Sequence, residues 1–240
     1  MNVLIIGYGK MGKEIEQCLI QSGHTIAATI DNDEQRNNFS GSADVAVEFS
    51  TPQTVIDNLL WCFEKNIPVV TGTTGWLDQL PMITEQCEKM NGSLLWGSNF
   101  SIGMNVFFML NKELTKFMNH FPQYKPSISE VHHVHKLDKP SGTAITLAND
   151  MIDEAANLHS WVLDKTDAEE GQLPVFVERI GEVKGTHDVK FESNEDIISI
   201  HHEAKSRKGF ALGAIMAAQW IKDKKGVCSF PEFFKEIIGQ

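Results

Sequence analysis

The residues best suited to chemistry in this sequence form a short run of histidines followed by a lysine. His132, His133 and His135 lie within four residues, and Lys136 follows them directly. Histidine and lysine side chains can bind anions and can donate or accept protons near neutral pH. Further along, Ser141-Gly142-Thr143 predicts a helix N-terminus, whose free N–H groups suit a carboxylate. The segment therefore predicts a site that binds an acidic group and transfers a proton.

Residue types alone leave two other interpretations of these histidines open. On a strand, His133 and His135 would share one face and His132 would take the other. A His-x-His pair can bind zinc, and His201 and His202 could add ligands, but no cysteine or carboxylate completes an evident ligand set nearby. The histidines could also be solvated side chains of an edge strand. We predict no metal site.

A second segment, residues 7–12, matches the pattern G-x-G-x-x-G with Gly-Tyr-Gly-Lys-Met-Gly. The first glycine allows a tight turn, the second lets the backbone approach a pyrophosphate, and the third lets helix and strand pack closely. Asp31 ends the second predicted strand and could accept hydrogen bonds from a ribose. These features predict a dinucleotide site, whereas the alternative is an ordinary turn with a surface aspartate.

The residue after Asp31 bears on the choice between nicotinamide cofactors. It is Asn32 rather than an arginine, so the 2′-phosphate of NADPH would meet a like charge without an adjacent cation. Lys10 and Arg36 could still reach that phosphate. The sequence therefore predicts NADH and/or NADPH as the cofactor, with a weak preference for NADH.

Two polar turns each follow an apolar strand and could line the same crevice. Residues 71–75 (Thr-Gly-Thr-Thr-Gly) could present hydroxyls and backbone to a nicotinamide ribose, or could be a plain loop. In residues 98–101, Asn99 could hold a carboxamide or could cap the helix that follows. Ligands of doubly wound sheets bind at the carboxyl ends of the strands, which is where both turns are predicted.

Hydrophobic periodicity predicts the elements that position these residues. In the first hundred residues, strands alternate with helices, one of which is expected to start at Ser50-Thr51-Pro52. This alternation predicts a doubly wound parallel sheet with helices on both faces. The predicted strands are 3–6, 25–30, 45–49, 67–71 and 93–96.

The regular alternation of predicted strands and helices ends after residue 101. An apolar stripe from Val106 to Phe121 predicts a core-facing helix, and a second helix is expected at 141–157. Consecutive strands then predict an α+β domain with a mixed or mostly antiparallel sheet. An apolar helix at 209–221 is expected to return to the first domain. The strands predicted here are 127–133, 175–179, 186–192 and 197–202.

Composition excludes several classes of function. The 240 residues carry a formal charge of −11 and are 42% hydrophobic, which is typical of a globular protein and unfavourable for a nucleic-acid surface or for a redox sensor that reads DNA. The uncharged stretch 209–221 is shorter than the roughly 20 residues that span a membrane. The apolar start has no basic region typical of a signal peptide, and four cysteines without a CxxC pair suggest reduced thiols in the cytoplasm.

The run from Glu130 to Ala144 resembles a specific signature, E-x-H-H-x-x-K-x-D-x-P-S-G-T-A, of the 4-hydroxy-tetrahydrodipicolinate (dihydrodipicolinate) reductase family. It meets every fixed position. The resemblance extends over the whole chain, through the N-terminal glycines, the two polar turns, Arg179-Ile180-Gly181-Glu182, and residues 206–214. Another small reductase, such as an amino-acid dehydrogenase, would not require this complete constellation.

The resemblance implies an activity and a fold. The activity is NAD(P)H-dependent reduction of 4-hydroxy-tetrahydrodipicolinate to tetrahydrodipicolinate in diaminopimelate and lysine biosynthesis, with hydride delivered to C4. The fold is α/β, with a Rossmann-like dinucleotide-binding domain at 1–101 and 208–240. An inserted α+β domain at 102–207 would bind the dicarboxylate substrate and form a homotetramer through its sheet.

The resemblance also implies roles for single residues. His132 would be the proton donor or acceptor and Lys136 the proton donor, while His133, Gly142 and Thr143 would bind the substrate. The glycine loop lacks the extra residue and the arginine often found in the family, which bears on phosphate selectivity. The implied cofactor contacts are Gly7, Tyr8, Gly9, Lys10, Met11, Gly12, Asp31, Gly72, Thr73, Thr74, Ser98, Asn99, Phe100 and Ser101.

Overall fold

The computed structural model describes residues 1–239 and divides the chain into two compact units. The first unit comprises residues 1–102 and the segment that begins at Arg207, and the second comprises residues 103–206. Gln240, the last residue of the first predicted domain, lies outside the described residues.

The first unit is built on a six-stranded parallel sheet in the order β11-β5-β4-β3-β1-β2, which confirms the predicted doubly wound fold. Strand β1 (Asn2–Ile6), which lies between β3 and β2, is almost fully buried, as expected for a parallel strand covered on both faces. The strands are β1 (Asn2–Ile6), β2 (Thr25–Ile30), β3 (Val45–Glu48), β4 (Val69–Thr71), β5 (Ser93–Trp96) and β11 (Gly226–Ser229).

Six α-helices accompany this sheet, and the apolar helix near the C-terminus returns to it as predicted. That helix, α7, packs against α1 and against strands β3, β4 and β5. Gly213 permits the close approach, because a Cβ there would collide with the carbonyl oxygen of Phe100. The helices are α1 (Lys10–Gln21), α2 (Asp33–Asn38), α3 (Val55–Glu64), α4 (Leu80–Lys89), α7 (Lys208–Ile221) and α8 (Phe230–Ile238).

Helix α3 begins later than the sequence predicts. Pro52 lies in a turn before the helix, and the Ser50 hydroxyl donates to Glu48 instead of capping the helix. Thr54 precedes the first helical residue without a side-chain cap. The predicted start at Ser50 was therefore wrong, because a buried carboxylate takes the hydroxyl that was expected to cap the helix.

The second unit contains a mixed five-stranded sheet in the order β10-β9-β6-β8-β7, which confirms the predicted α+β architecture. The central strand β6 runs parallel to β8 and antiparallel to β9. The strands are β6 (Lys125–His132), β7 (Ser160–Leu163), β8 (Gln172–Arg179), β9 (Thr186–Glu192) and β10 (Ile197–Glu203).

Two helices, α5 (Ile102–Met118) and α6 (Gly142–Glu154), share an apolar core with this sheet. The predicted core-facing stripe was partly confirmed, because Phe107 and Met118 are buried in the core and Leu114 packs against it. It was wrong for Val106, Leu110, Phe117 and Phe121, which are exposed. The buried face instead includes Asn111 and Thr115. The Asn111 amide donates to the Leu147 carbonyl at 3.1 Å, and the Thr115 hydroxyl donates to the Asn111 carbonyl at 2.8 Å, so polar side chains occupy core positions.

All four cysteines are free thiols, and three of them are buried in α1, α3 and α4. Among the described residues, we find no helix with the length and apolar character needed to cross a membrane.

Candidate active site

Strand β6 places the catalytic candidates at its carboxyl end. Ile128, Glu130 and His132 alternate onto the buried face of the strand, where Ile128 joins the apolar core. The strand ends at His132, and the chain then turns through His133 and His135, whose ring centroids lie 6.1 Å apart. Because His133 and His135 follow the strand, the alternation predicted for a strand through all three histidines does not apply to them.

The carboxylate of Glu130 is the centre of a buried polar cluster. Its Oε1 accepts the Ser141 N–H at 3.0 Å and an Arg179 guanidinium N–H at 3.2 Å. Its Oε2 accepts the Ser141 hydroxyl and lies 3.5 Å from both His132 Nδ1 and His187 Nε2. The side chain is fully buried, so these partners replace water around the charge.

This cluster lowers the pKa of both groups at its centre. Burial by itself raises the pKa of Glu130, but hydrogen bonds from His187 and Ser141 and the charge of His132 outweigh it and give a pKa of about 2. Burial lowers the pKa of His132 to about 4, although Glu130 opposes the shift. The positive charges of Lys136 and Arg179 add to the lowering. His132 is therefore neutral at neutral pH in the protein alone.

Arg179 also fixes the loop that carries Lys136. Its guanidinium donates to the carbonyl of Asp138 at 2.6 Å and to that of Lys136 at 3.4 Å. The Lys136 side chain is about three-quarters buried, with 23% of it exposed, and its ammonium pairs with the Asp138 carboxylate at 2.9 Å. One arginine thus ties the lysine loop to the buried Glu130.

The N-terminus of α6 lies in the same cluster. The Ser141 hydroxyl accepts the Ala144 N–H at 3.1 Å and so caps the helix. Gly142 and Thr143 precede Ala144 in the first turn, where amides lack partners within the helix. A Cβ at Gly142 would meet no atom within 4 Å, so the space in front of this turn is open. The predicted substrate residues Gly142 and Thr143 therefore start a capped helix whose serine bonds to Glu130.

Glu130, His132 and His187 place three potential metal ligands within 4.8 Å of one another. The Glu130 carboxylate is already paired with the Arg179 guanidinium and hydrogen-bonded by Ser141. A divalent cation bound there would lie beside the guanidinium, and the part of the chain that the structure describes adds no further acidic ligand to offset the repulsion. The donor set fits a hydrogen-bonded cluster better than a metal centre.

Sequence reasoning missed His187 and the central part played by Glu130. His187 pairs directly with Glu130 in the antiparallel register of β9 and β6. That register is a long-range property and carries no local signal in the sequence. The one available signal was Glu130 itself, a carboxylate that shares the buried face of its strand with Ile128 and His132.

In the first unit, the glycine loop has the geometry that a dinucleotide requires. Gly7 has a φ of +85°, and a Cβ there would collide with the Phe49 carbonyl. A Cβ at Gly12 would collide with the Gly7 carbonyl, whereas one at Gly9 would meet nothing within 4 Å. Open space at Gly9 in front of helix α1 fits a pyrophosphate.

Asp31 belongs to the same site. Its carboxylate accepts the Tyr8 N–H at 2.7 Å, which joins the end of β2 to the glycine loop. A cleft of about 230 Å³ is lined by Gly7, Gly9, Asp31 and Ser50, among others. Tyr8 and Met11 are half-buried and Lys10 is exposed at the start of α1. These residues fit the ribose and phosphates of a nicotinamide dinucleotide.

The turn after β4 corrects one expectation. The Thr73 hydroxyl does not face outward, because it donates to the buried Glu48 at 2.8 Å and accepts the Ser50 N–H at 2.9 Å. Thr71 donates to the same carboxylate at 2.6 Å, so Glu48 holds the turn from inside. The exposed hydroxyl in this turn is that of Thr74.

Two side chains of the turn after β5, those of Asn99 and Phe100, make contacts within the protein. The Asn99 side chain accepts the Ser101 N–H at 2.9 Å, a turn contact just before α5 begins. Phe100 is buried between Phe49 and Phe230, with ring centroids 5.7 Å and 4.6 Å away. Its side chain is thus part of the core, while Ser98 is exposed.

Family models for dihydrodipicolinate reductase match almost the entire chain, the N-terminal model over residues 1–100 and the C-terminal model over residues 103–234. The chain is 42% identical, over 99% of both chains, to a 4-hydroxy-tetrahydrodipicolinate reductase of Christiangramia forsetii. It is 36% identical, over 98% of both chains, to one of Thermosipho africanus.

A solved structure, a dipicolinate-bound dihydrodipicolinate reductase from Paenisporosarcina sp. TG-14, has the same fold. The TM-score is 0.73 at 22% identity, and the match covers 95% of this chain and 97% of that one. The glycine loop, the cluster at the end of β6 and these similarities agree, and the chain belongs to the dihydrodipicolinate reductase family.

Proposed function

We propose that this chain is an NAD(P)H-dependent 4-hydroxy-tetrahydrodipicolinate reductase of diaminopimelate and lysine biosynthesis. The observation that carries the proposal is the buried cluster of Glu130, His132 and Ser141 beside the N-terminus of α6. It combines a neutral proton-transferring histidine with a capped helix start, which suits a ring substrate with two carboxylates. The family membership of the entire chain supports the same activity.

The 4-hydroxyl leaves as water together with a proton from C3, which gives a conjugated ring, and a hydride then adds at C4. A bound nicotinamide supplies that hydride, and the resulting enamine takes up a proton. We assign Lys136 as proton donor and His132 as proton donor or acceptor. A nearby substrate carboxylate raises the pKa of His132 from its low value in the free protein, so the imidazole charges when substrate is bound.

Substrate binding is assigned to His133 and to the first turn of α6. The amides of Gly142 and Thr143, together with the positive end of the helix dipole, suit one substrate carboxylate. In this proposal the unit at 102–207 binds substrate. The unit at 1–101 and 208–240 binds the dinucleotide through the glycine loop, Asp31 and the turns after β4 and β5.

We propose a preference for NADH over NADPH. Asp31 and Asp33 would both lie near a 2′-phosphate at the end of β2. The nearby Arg36 is held by Asp33 at 3.0 Å and by Asn58 at 2.8 Å. The guanidinium is thus partly neutralised and oriented by other groups, while the exposed Lys10 leaves some tolerance for NADPH.

The sheet of the second unit supports assembly into a homotetramer. One face shares the core with α5 and α6, whereas the opposite face includes the half-buried Phe176 and Ile197, which is 56% exposed. Apolar side chains on an open sheet face favour association.

The free buried thiols fit a reducing compartment, which is consistent with a cytoplasmic enzyme.

The test is oxidation of NADH and of NADPH followed by absorbance. The substrate is generated in place by the preceding synthase from pyruvate and aspartate semialdehyde. We expect substrate-dependent oxidation that pyridine-2,6-dicarboxylate inhibits, with a higher kcat/KM for NADH. Binding of both cofactors without substrate-dependent oxidation would contradict the activity, and a higher kcat/KM for NADPH would contradict the preference alone.

A further inference from the structure

We propose that Glu130 and His187 form a buried positioning pair behind His132, which fixes the tautomer of His132 and stabilises its charged form during proton transfer. The inference rests on the proposed function for its catalytic part. Neither residue needs to touch the substrate, because both act through His132. His187 lies outside the signature segment and its place follows only from the fold.

The first observation is the environment of His132 Nδ1. This atom is buried, has no hydrogen-bond partner among the described residues, and faces Glu130 Oε2 at 3.5 Å. A carboxylate at that position attracts an N–H and repels a lone pair. Glu130 therefore favours the Nδ1–H tautomer, which leaves Nε2 as the atom that exchanges a proton with another group.

The second observation is that Glu130 is held in place by donors from every neighbouring element. Arg179 on β8 and Ser141 before α6 bind it, while His187 on β9 lies 3.5 Å from the same oxygen that faces His132. His187 Nε2 is also 3.4 Å from the Ser141 hydroxyl. The carboxylate cannot turn away from His132 without losing several of these contacts.

The third observation is the packing of the two imidazoles. The rings of His132 and His187 meet edge to face with centroids 5.0 Å apart. A Cβ at Gly185 would lie 3.0 Å from His132 Nε2, so the backbone just before strand β9 packs closely against the His132 ring. His187 thus limits both the position of Oε2 and the tilt of the His132 ring.

The charges around His132 decide in which direction its pKa should change when a neighbour is replaced. Glu130 on its own strand favours the imidazolium, whereas His187 on β9, Arg179 on β8 and Lys136 in the following loop oppose it. Removal of the Glu130 charge should therefore lower the pKa of His132 below about 4. Removal of the His187 imidazole frees Oε2 to move and weakens its hold on Nδ1–H.

The test combines turnover with NMR of the histidine ring nitrogens, which needs no substrate. The variants are Glu130→Gln, which keeps the shape of the side chain, His187→Phe, which keeps a ring without a donor, and His187→Gln, which restores a donor. His120→Phe is the matched control, because His120 is exposed in the turn after α5. Circular dichroism and thermal unfolding test whether each variant is folded.

In the wild type we expect the Nδ1–H tautomer of His132, and in Glu130→Gln a mixture of tautomers. We expect kcat to fall by about 10-fold to 100-fold in Glu130→Gln and His187→Phe, a part of the roughly 10²–10⁴-fold that a positioned acid–base group contributes. The basic limb of the kcat profile, where His132 loses its proton in the enzyme–substrate complex, should move to lower pH in Glu130→Gln. KM for substrate should change little in His187→Phe, and His187→Gln should recover part of kcat.

An unchanged His132 tautomer in Glu130→Gln, or a wild-type kcat in His187→Phe, would overturn the positioning pair. Failure of the proposed function has a different signature. In that case the wild type would not turn over the substrate, while the NMR comparison would still report the effect of Glu130 on His132.

Discussion

At the scale of the residue, the roles of His132 and Lys136 lead to the first prediction. His132→Ala and Lys136→Ala should each lower kcat by roughly 10²–10⁴-fold, because each removes a positioned proton donor or acceptor. His135→Ala is the control from the same segment, since His135 is exposed and lies 3.4 Å from the exposed Glu182. Steady-state kinetics on folded variants provides the measurement, and wild-type kcat in either variant would refute the assignment.

The low pKa of His132 predicts how stability depends on pH. The folded pKa of about 4 lies below the ordinary value of 6.5, so the unfolded chain binds a proton first as the pH falls. The free energy of unfolding should therefore decrease from about pH 6.5 to about pH 4, by up to about 3 kcal/mol from this residue. The folded pKa of Glu130, about 2 against 4.5, causes a further loss between those values.

Urea unfolding at pH 7 and at pH 4.5 measures this effect. We expect the loss of stability between the two pH values to be smaller in His132→Gln than in the wild type. Other histidines, such as His24 and His202, contribute equally to both proteins and cancel in the comparison. An equal loss in both proteins would show that His132 titrates normally in the folded state.

At the scale of the element, we expect two glycines of the glycine loop to have different roles. Gly7 is needed for the stability of the turn, whereas Gly9 leaves room for the cofactor. Gly7→Ala should destabilise the protein by about 2 kcal/mol or more, because φ is +85° and the methyl group collides with the Phe49 carbonyl. Gly9→Ala should leave stability within about 1 kcal/mol, apart from helix-start effects, since its methyl group meets no protein atom within 4 Å. Its NADH affinity should nevertheless fall, because the methyl group occupies the space assigned to the pyrophosphate.

Thermal unfolding and fluorescence titration with NADH test this pair of glycines. Wild-type affinity in Gly9→Ala would place the pyrophosphate elsewhere. Wild-type stability in Gly7→Ala would show that the turn can relax around a side chain.

Elements with strong local patterns were predictable, and elements defined by distant partners were not. Strand Ser93–Trp96 and strand Thr186–Glu192 have the predicted bounds, because each is a short run with an apolar face between polar or glycine residues. Strand β11 was missed, since Gly226–Ser229 becomes a strand only by pairing with β5. The α5 stripe was partly misassigned because buried Asn111 and Thr115 satisfy their own hydrogen bonds.

The same distinction applies to the site. The signature segment and the glycine loop are each an unbroken stretch of sequence, and sequence analysis found both. His187 and Glu48 act from neighbouring strands, so their contacts with Glu130 and Thr73 depend on strand register. Where long-range pairing brings a side chain to the site, residue types alone carry no signal.

At the scale of the whole molecule, the open face of the second sheet predicts the oligomeric state. Light scattering coupled to size exclusion should give the mass of a tetramer for the wild type. Ile197→Asp places a charge on the exposed edge of that face and should shift the mass towards smaller species. Ile20→Asp is a control on α1 of the first unit, where the side chain is 61% exposed. A monomeric wild type would contradict assembly through this sheet.

The central claim is that the chain transfers a hydride from a nicotinamide to C4 of the ring substrate. The most direct test uses NADH deuterated on the transferring position of its nicotinamide, with substrate generated by the preceding synthase and product examined by mass spectrometry and NMR. The account predicts deuterium at C4 of tetrahydrodipicolinate in the wild type and far slower labelling in His132→Ala. Oxidation of the deuterated NADH without deuterium at C4 of the product would contradict it.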